Sequence, residues 1–591
     1  MNIVGISAFY HESACCLLQR GRLVAAAAEE RFSRRKHDPR LPVEAFRFCL
    51  QQAGLDITEI DLLAYYEQPE EKLGRQLWSG PPAGGSPDLP WLDARAPLRA
   101  LREELGYDGE IRCYPHHLSH AASAYFFSDF SEAAVLTADG VGEWDTTGYF
   151  HGRGGSLETL ETVRFPHSLG LLYSAFTSYL GFRVNGGEYK VMGLAPYGQP
   201  RFFDSIAQLV RTAPDGRYVI DQRYFDYIDG RRMESPALEA LLGQPRRSPE
   251  SPIEEFHHDV AASIQLLLEE VLVQKVRYLQ ARTQAQDLCL AGGVALNCVA
   301  NARIRREGGF QRLFVQPAAG DSGACLGAAA LAWAERGERS EALPHIRLGP
   351  SFEDGEVAQL VADTLGPEVF EAADYRHRRG ELDEALAAAL DKGEILGFFQ
   401  GAMEHGPRAL GGRSLLADPR RDEIRDRLNR LVKQREDFRP FAPAVLEEEA
   451  AEHFELSGPS PYMLETCAVR SALELPAITH VNGSARPQTV DPQRAPELYR
   501  LLRAFQRRTG CPVLLNTSLN VRGEPIVCTP QDALLCFARA GFDGLALGSF
   551  LLRRWMLPER WQAMLPAWQP SPQRWRDADS DPLRSNLYTF V

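Results

Sequence analysis

Residues 2–27, NIVGISAFYHESACCLLQRGRLVAAA, decide the fold. They run from a strand-like stretch through a loop with His11 and Glu12 into two more strand-like stretches. Residues 133–163 repeat this order: AAVLTA, the loop DGVGEWD, then TTGYFH and LETLETV around a glycine-rich turn. Strand, loop, strand, turn and strand follow one another in both. The repetition predicts two similar α/β halves facing a cleft, with chance likeness of two hairpins as the alternative.

The remaining chain predicts a second domain. A length of 591 residues exceeds one ordinary domain of about 150 residues. The segment RGERSEALPHIRLGPSF (336–352) is typical of a linker, and we expect domains at 1–344 and 345–591. Residues 78–92 and 211–256 are predicted as a surface loop and an insertion, and a long helix is expected over about 254–282.

Composition narrows the class of protein. Lys and Arg number 65 against 79 Asp and Glu, a net charge of −14, which argues against nonspecific nucleic-acid binding. Eleven scattered cysteines without a CxxC pair favour a reducing cytoplasm over a disulfide framework. The start has no basic leader, and the apolar stretch Ala324–Ala334 is too short to span a bilayer. We therefore expect a cytoplasmic protein that binds neither membrane nor nucleic acid.

The segment YPHHLSHAASAY (114–125) gives the strongest metal signal. With Pro115 in the first turn of a helix, His116 and His120 share one face, four residues apart. His117 and His120, three apart, are the alternative pair, and a structural role for these histidines is equally compatible with the motif. Asp139, after a strand, and Asp321, before a helix, could complete a two-His, two-Asp site. Such ligands suit iron(II), manganese or zinc, although each aspartate alone is typical of a turn or a helix cap.

Glycines and a loop histidine offer weaker signals. Gly292 and Gly293 follow a strand and open a helix near Asn297, where backbone N–H groups can approach a phosphate. A tight strand–helix turn, which needs glycine in any case, is the alternative interpretation. Gly170 is a further glycine at which the backbone could approach a ligand closely. His11 could act as a general base toward a hydroxyl, with a structural histidine as the default interpretation.

The second half concentrates cations beside small polar motifs. They could hold a phosphoryl group and offset the charge of a leaving pyrophosphate, although each alone could be a surface ion pair. Ser518 and Asn516 in NTSLN accompany them. The cations are Arg408, Arg413, Lys433, Arg435, Arg439 and Arg486.

Together these motifs resemble the bacterial O-carbamoyltransferases of the nodulation-factor, cephamycin, novobiocin and nebramycin type. The resemblance covers nearly the whole chain in order and is specific. It rests on GISAFYHESA, AAEERFSRRKH, HHLSHAASAY, LTADGVGE, SLGLLYSAFTSYLGF, EYKVMGLAPYG, LAGGVALN, GAMEHGPRALGGRSLLADPR, KQREDFRPFAPAVL and LNTSLNVRGEPIV.

The resemblance implies a fold and a reaction. The first domain would have the duplicated actin and sugar-kinase (ribonuclease-H-like) fold of tRNA threonylcarbamoyl transferase, and the second would be a YrdC-like α/β domain. Carbamoyl phosphate and ATP, with Mg²⁺, would form carbamoyl adenylate and pyrophosphate in the second domain. In the first domain a hydroxyl of a small molecule, such as a sugar or a natural product in antibiotic biosynthesis, would take the carbamoyl group and release AMP.

The resemblance also implies roles for residues. His11 would be the catalytic histidine, with the base assignment weakened because Glu12 stands where the family often has Asp. The iron(II) ligands would be His116, His120, Asp139 and Asp321. The adenylate would bind near Asp139 and at Lys36, Gly170, Gly193, Gly292, Gly293 and Asn297. Carbamoyl phosphate and ATP would bind at Arg408, Lys433, Arg439, Arg486, Asn516 and Ser518.

Other functions fit less well. N-carbamoyl or threonylcarbamoyl transfer to tRNA is disfavoured by the negative charge. A hydrogenase-maturation carbamoyltransferase would need CxxC pairs that the sequence lacks. A chaperone-like ATP-binding module would not need the second cluster of cations. The sequence leaves the identity of the acceptor open. It also leaves open whether residues 78–92 and 211–256 shape the acceptor pocket, and whether the protein is a homodimer.

Overall fold

The computed structural model describes residues 1–80, 93–228, 232–433 and 438–564. Most of the loop predicted at 78–92, and Arg435 among the predicted cations, lie outside these residues. The described chain divides into two compact units. The first contains Met1–Glu29 and His37–Leu343, and the second contains Glu30–Lys36 and the residues from Pro344 onward. The second unit thus begins beside the predicted boundary but also includes a short N-terminal segment, which the sequence did not indicate.

The strands occur in both units and their bounds are as follows. In the first unit they are β1 (Asn2–Ser7), β2 (Ala14–Gln19), β3 (Arg22–Ala28), β4 (Leu62–Tyr65), β5 (Ile111–Cys113), β6 (Glu132–Ala138), β7 (Asp145–Arg153), β8 (Ser156–Arg164), β9 (Val210–Thr212), β10 (Tyr218–Ile220), β11 (Asp287–Ala291) and β12 (Arg312–Val315). In the second unit they are β13 (Leu396–Phe399), β14 (Arg413–Ala417), β15 (Ala442–Leu446), β16 (Cys467–Ala468), β17 (Ser484–Ala485), β18 (Gln488–Val490), β19 (Val513–Ser518), β20 (Gly544–Leu547) and β21 (Phe550–Arg553).

The α-helices lie between these strands along the chain, singly or in groups. In chain order they are α1 (Glu30–Ser33), α2 (Val43–Ala53), α3 (Pro69–Ser79), α4 (Ala96–Glu103), α5 (His116–Tyr125), α6 (Leu169–Tyr179), α7 (Glu188–Leu194), α8 (Phe203–Ala207), α9 (Pro236–Leu242), α10 (Glu255–Thr283), α11 (Cys298–Glu307), α12 (Asp321–Ala334), α13 (Asp354–Leu365), α14 (Pro367–Ala373), α15 (Arg379–Asp391), α16 (Asp422–Arg427), α17 (Ala450–His453), α18 (Pro496–Thr509), α19 (Pro530–Arg539) and α20 (Glu559–Met564). A π-helical turn covers Leu428–Lys433.

The first unit contains the same sheet twice. One sheet has the order β3-β2-β1-β4-β5 and the other the order β8-β7-β6-β11-β12. In each, the first three strands along the chain pair antiparallel and the last two pair parallel. The predicted repeat therefore corresponds to two α/β halves of identical strand order, and the α/β prediction is confirmed. The predicted long helix is α10, and the insertion before it contains the hairpin β9–β10 and α9.

The second unit is built on one mixed sheet. Its order is β18-β15-β19-β14-β13-β20-β21, with β13 and β20 parallel and β14 and β19 antiparallel. Helices α15, α18 and α19 contribute buried leucine and phenylalanine side chains to the core of this unit. Among the described residues, no helix combines the length and the apolar character that crossing a bilayer requires.

Candidate functional site

Two histidines of α5 meet in the first unit. The helix begins at His116 directly after Pro115, so His116 and His120 lie one turn apart on the same face. Their Nε2 atoms are 3.0 Å apart. His117 takes another direction, and its Nδ1 lies 2.7 Å from Thr137 Oγ1. Of the two pairs that the sequence left open, the structure thus brings together His116 and His120.

Two carboxylates converge on these imidazoles. Asp139 follows the last residue of β6, and Asp321 is the first residue of α12. Asp139 Oδ2 lies 2.9 Å from His120 Nε2 and 3.4 Å from His116 Nε2. Asp321 Oδ1 lies 3.4 Å from His120 Nε2 and 3.6 Å from His116 Nε2. The four predicted ligand side chains therefore form one cluster.

Close helix packing fixes this convergence. A Cβ at Gly327 of α12 would lie 1.7 Å from the Ser119 carbonyl oxygen on α5, so only glycine allows the two helices to approach this far. A Cβ at Gly142 would lie 2.9 Å from His116 Cβ. Glycine at these two positions lets α5 pack against α12 on one side and against the loop after β6 on the other.

Burial and opposite charges govern the protonation of the cluster. Side-chain exposure ranges from 0% for His120 to 13% for Asp139. Burial opposes charge on His120, yet hydrogen bonding and charge from Asp139 and Asp321 raise the pKa of His120 to about 9. Burial likewise opposes ionisation of Asp139, but hydrogen bonds with His116 and His120 hold the pKa of Asp139 well below its usual value. The lowered pKa of Asp139 favours its ionised carboxylate, the form in which it could ligate a cation.

The donor atoms suit a metal ion. Each of the four residues offers one nitrogen or oxygen, and these atoms all lie within 4.8 Å of one another. The Nδ1 atoms of His116 and His120 and the Oδ2 atom of Asp321 are buried and have no hydrogen-bond partner within the described chain. Because buried polar groups are normally paired, the unpaired Asp321 Oδ2 fits a role as a ligand of a cation, whereas the Nδ1 atoms lie on the ring edges opposite the Nε2 atoms of the cluster. Mixed nitrogen and carboxylate ligands fit iron(II), manganese or zinc.

His11 lies at the border of the cluster. Its Nε2 is 4.0 Å from Asp321 Oδ2. Burial opposes protonation, but the negative charges of Asp321 and Glu12 raise the pKa of His11. Glu12, the departure from the family pattern, has Oε1 3.9 Å from His37 Nδ1, and its Oε2 would lie 2.8 Å from a Cβ at Gly320. The longer carboxylate thus occupies space beside the start of α12.

Glu143 is a residue of this site that the sequence analysis missed. Its carboxylate is buried, and the backbone N–H of His116 donates to Oε1 at 3.0 Å and to Oε2 at 3.2 Å. The N–H of Gln68 donates to Oε1 at 2.7 Å. Glu143 thereby satisfies an otherwise unpaired donor at the start of α5, while burial raises the pKa of its carboxyl group. The glutamate in DGVGEWD was the available signal.

Several predicted adenylate residues surround Asp139. Its Oδ1 accepts hydrogen bonds from the N–H of Gly140 at 2.8 Å and of Gly293 at 3.2 Å. Gly292 has φ of 86°, and a Cβ there would lie 2.3 Å from the Ala138 carbonyl oxygen. A Cβ at Gly170 would lie 2.5 Å from the Asp139 carbonyl oxygen. These glycines allow backbone to approach the aspartate closely.

The other residues predicted to bind the adenylate show no direct contact with Asp139 among the described contacts. Asn297 caps α11, where its Oδ1 accepts from the Ala300 N–H at 3.0 Å, and exchanges hydrogen bonds with the Gln265 amide. Gly193 is buried near the end of α7. Lys36 is exposed and belongs to the second unit. Their roles in nucleotide binding stay predictions.

In the second unit, Lys433 and Ser518 come together. Lys433 Nζ donates to Ser518 Oγ at 3.3 Å and to Asn520 Oδ1 at 2.7 Å. Ser518 Oγ also donates to Asn520 Oδ1, at 2.7 Å. On the same strand, β19, Asn516 Nδ2 donates to Gln488 Oε1 at 2.8 Å. Asn520 and Gln488 were not predicted.

The arginines of the second unit differ in their surroundings. Arg408, Arg439 and Arg486 are half-buried. Arg413 is fully buried under the Phe399 ring and donates to the carbonyl oxygens of Gln400, Gly401, Gly412 and Pro350. The expectation that Arg413 binds a phosphoryl group is therefore wrong, because its donors hold the surrounding loop together.

Comparisons with known proteins relate the chain to one family. A family model described as the carbamoyltransferase N-terminus matches residues 2–77 and 98–330, and one described as the carbamoyltransferase C-terminus matches residues 387–554. An uncharacterized protein of Synechocystis sp. is 44% identical over 95% of this chain and 98% of its own length. Nodulation protein NolNO of Sinorhizobium fredii is 39% identical over 94% of this chain and 81% of its own length. The 3'-hydroxymethylcephem-O-carbamoyltransferase of Amycolatopsis lactamdurans is 38% identical over 46% of this chain and 50% of its own length.

Proposed function

This chain belongs to the carbamoyltransferase family, and from that premise we propose that it is an ATP-dependent O-carbamoyltransferase acting on a hydroxyl group of a small molecule. The relative from Amycolatopsis lactamdurans is named for O-carbamoyl transfer to a hydroxymethyl cephem, which motivates oxygen as the acceptor atom. The observation that carries the proposal is the cluster of two imidazoles and two carboxylates in the first unit.

The second unit would activate the carbamoyl group. A carbamoyl group is a poor electrophile, and a mixed anhydride with AMP provides a good leaving group. ATP, carbamoyl phosphate and one water molecule would give carbamoyl adenylate, pyrophosphate and inorganic phosphate. Lys433 and Arg486 would neutralise phosphate charge, and Asn516 and Ser518 would add polar contacts. Arg408 and Arg439 are further candidates for phosphate binding.

A YrdC-like fold is our proposal for this unit. Its support is the mixed seven-stranded sheet, in which the β19 segment NTS is central and lies between β14 and β15. Strand β19 thus presents Asn516 and Ser518 at a fixed spacing on a rigid element.

The first unit would carry out the transfer. A divalent cation held by His116, His120, Asp139 and Asp321, for which we propose iron(II), would supply Lewis-acid stabilisation of developing negative charge. The acceptor hydroxyl oxygen would bond to the carbamoyl carbon while the bond from that carbon to the phosphate oxygen of AMP breaks. His11 is the candidate to take the hydroxyl proton at Nε2, since it borders the ligand cluster.

The direct test is carbamoylation of candidate acceptors. The purified chain is incubated with ATP, Mg²⁺, carbamoyl phosphate, iron(II) and a panel of hydroxylated sugars and natural products. Mass spectrometry should show a gain of about 43 Da, the replacement of H by CONH₂, on one of them. Omission of ATP or of carbamoyl phosphate should abolish this gain. A gain that persists without ATP would contradict the adenylate route.

A further inference from the structure

A segment of the N-terminal half is built into the second unit. Residues Glu30–Lys36, ERFSRRK, belong to the second unit, whereas Glu29 before them and His37 after them belong to the first. The segment begins with the short helix α1. It therefore supplies side chains to a unit whose remaining described residues begin more than 300 positions later.

Arg34 binds one loop of the second unit. Its Nη1 donates to the Ile526 carbonyl oxygen at 2.6 Å, and its Nη2 donates to the Pro525 carbonyl oxygen at 2.9 Å. Arg34 Nε lies 3.7 Å from Asp532 Oδ1. Two adjacent carbonyl groups match the fork of a guanidinium, which a lysine ammonium cannot reproduce.

Arg31 and Phe32 bind a second loop. Arg31 is buried, and its Nη2 donates to the Gly406 carbonyl oxygen at 2.9 Å. Phe32 packs against the apolar cluster of Met403, Ala409, Ile526 and Cys528. This cluster contains residues of both loops, so Phe32 joins them to each other.

The two loops carry the candidate phosphate-binding residues. Gly406 lies two positions before Arg408. The loop with Pro525 is tied to Asn520, whose Nδ2 donates to the Glu524 carbonyl oxygen at 2.7 Å. Asn520 in turn accepts from Lys433 and Ser518. A shift of either loop would therefore displace groups that we assign to carbamoyl phosphate and ATP.

We propose that Arg31, Phe32 and Arg34 are positioning residues of the phosphate-binding site in the second unit. Their segment clamps the loop around Gly406 and the loop around Pro525 in the arrangement that binds the phosphorylated substrates. This inference rests on the proposed function, because it takes Arg408, Lys433 and Ser518 as substrate contacts.

The experiment measures release of pyrophosphate from ATP at varied carbamoyl phosphate concentration. It uses the full chain and the variants Arg34→Ala, Arg34→Lys, Arg31→Ala and Phe32→Ala. Arg35→Ala is the matched control, because Arg35 is the next residue, is exposed, and shows a hydrogen bond only at its backbone N–H, to Ser33 Oγ, among the described contacts. Thermal unfolding and iron(II) binding are measured on each variant.

We expect Arg34→Ala and Arg31→Ala to raise the KM for carbamoyl phosphate about tenfold or more, as loss of hydrogen bonds from a charged group predicts. Arg34→Lys should be intermediate, Arg35→Ala should match the parent, and iron(II) binding should be unchanged throughout. Variants that melt earlier yet keep the parent KM would overturn the positioning role. The positioning role would also be overturned if Arg35→Ala raised the KM as much as Arg34→Ala does. A parent chain that releases no pyrophosphate in response to carbamoyl phosphate would instead overturn the proposed function.

Discussion

His120 Nε2 lies 2.9 Å from Asp139 Oδ2, and this contact joins the second turn of helix α5 to the end of strand β6 in the first unit. The partners come from α5 and from the residue after β6, and Asp321 adds the first residue of α12. A site assembled from helix residues and the end of a strand keeps these side chains in place on a rigid scaffold.

The first prediction concerns metal content. His120→Asn removes a proposed ligand nitrogen that faces both carboxylates, so bound iron(II) should fall to below about one tenth of the parent stoichiometry. His117→Asn is the matched control, because His117 neighbours the site but pairs with Thr137 Oγ1. Elemental analysis after gel filtration measures both. Equal metal content in the two variants would argue against the ligand assignment.

The second prediction concerns Glu143. Replacing Glu143 by Ala leaves the His116 N–H without its carboxylate acceptor, so the iron(II) dissociation constant should rise about 10- to 100-fold. Glu143→Gln keeps an acceptor oxygen and should show a smaller rise. Isothermal titration with iron(II) under anaerobic conditions provides the comparison. Unchanged affinity in Glu143→Ala would remove its role in orienting His116.

The third prediction separates the two units. Arg486→Ala should abolish pyrophosphate release that depends on carbamoyl phosphate, because a half-buried cation of the second unit would be lost. Iron(II) binding should be retained. Arg470→Ala, which removes an exposed arginine paired with Glu455, should leave the activity unchanged. Full activity of Arg486→Ala would count against its assignment to the phosphate site.

The fourth prediction uses pH. Burial lowers the pKa of Lys275 to about 8, and its Nζ donates to the Arg217 carbonyl oxygen at 3.1 Å. Between pH 8 and the unfolded value near 10.5, the unfolded chain binds more protons at this site, so stability rises with pH. Between pH 7.5 and 9.5 the free energy of unfolding of the parent should therefore rise by about 2 kcal/mol more than that of Lys275→Met. Denaturant titrations at both pH values test this, and parallel pH profiles would refute it.

The sequence predicted much of the first unit for identifiable reasons. The two hairpin patterns reflect strand alternation, which local sequence encodes, and they correspond to two sheets of identical order. Asp139 and Asp321 were predictable because they stand at the ends of apolar elements. The choice between His116 and His117 was not predictable, since it depends on which face of the helix meets the two carboxylates in the folded chain.

Other features depend on contacts that local patterns do not encode. Glu143 escaped prediction because its partners are backbone N–H groups of distant segments. The association of Glu30–Lys36 with the second unit escaped prediction because it depends on contacts with residues more than 300 positions later in the chain. Arg413 was misassigned because a buried arginine bound to carbonyl oxygens resembles, in sequence, an arginine in a phosphate loop.

The most direct test follows the phosphorus of ATP by ³¹P NMR in the presence and absence of carbamoyl phosphate. With carbamoyl phosphate and an accepted hydroxylated substrate, the parent chain should convert ATP to AMP and pyrophosphate. The His120→Asn variant should still release pyrophosphate but form no carbamoylated product. Formation of ADP, or release of pyrophosphate at the same rate without carbamoyl phosphate, would contradict activation of the carbamoyl group as an adenylate.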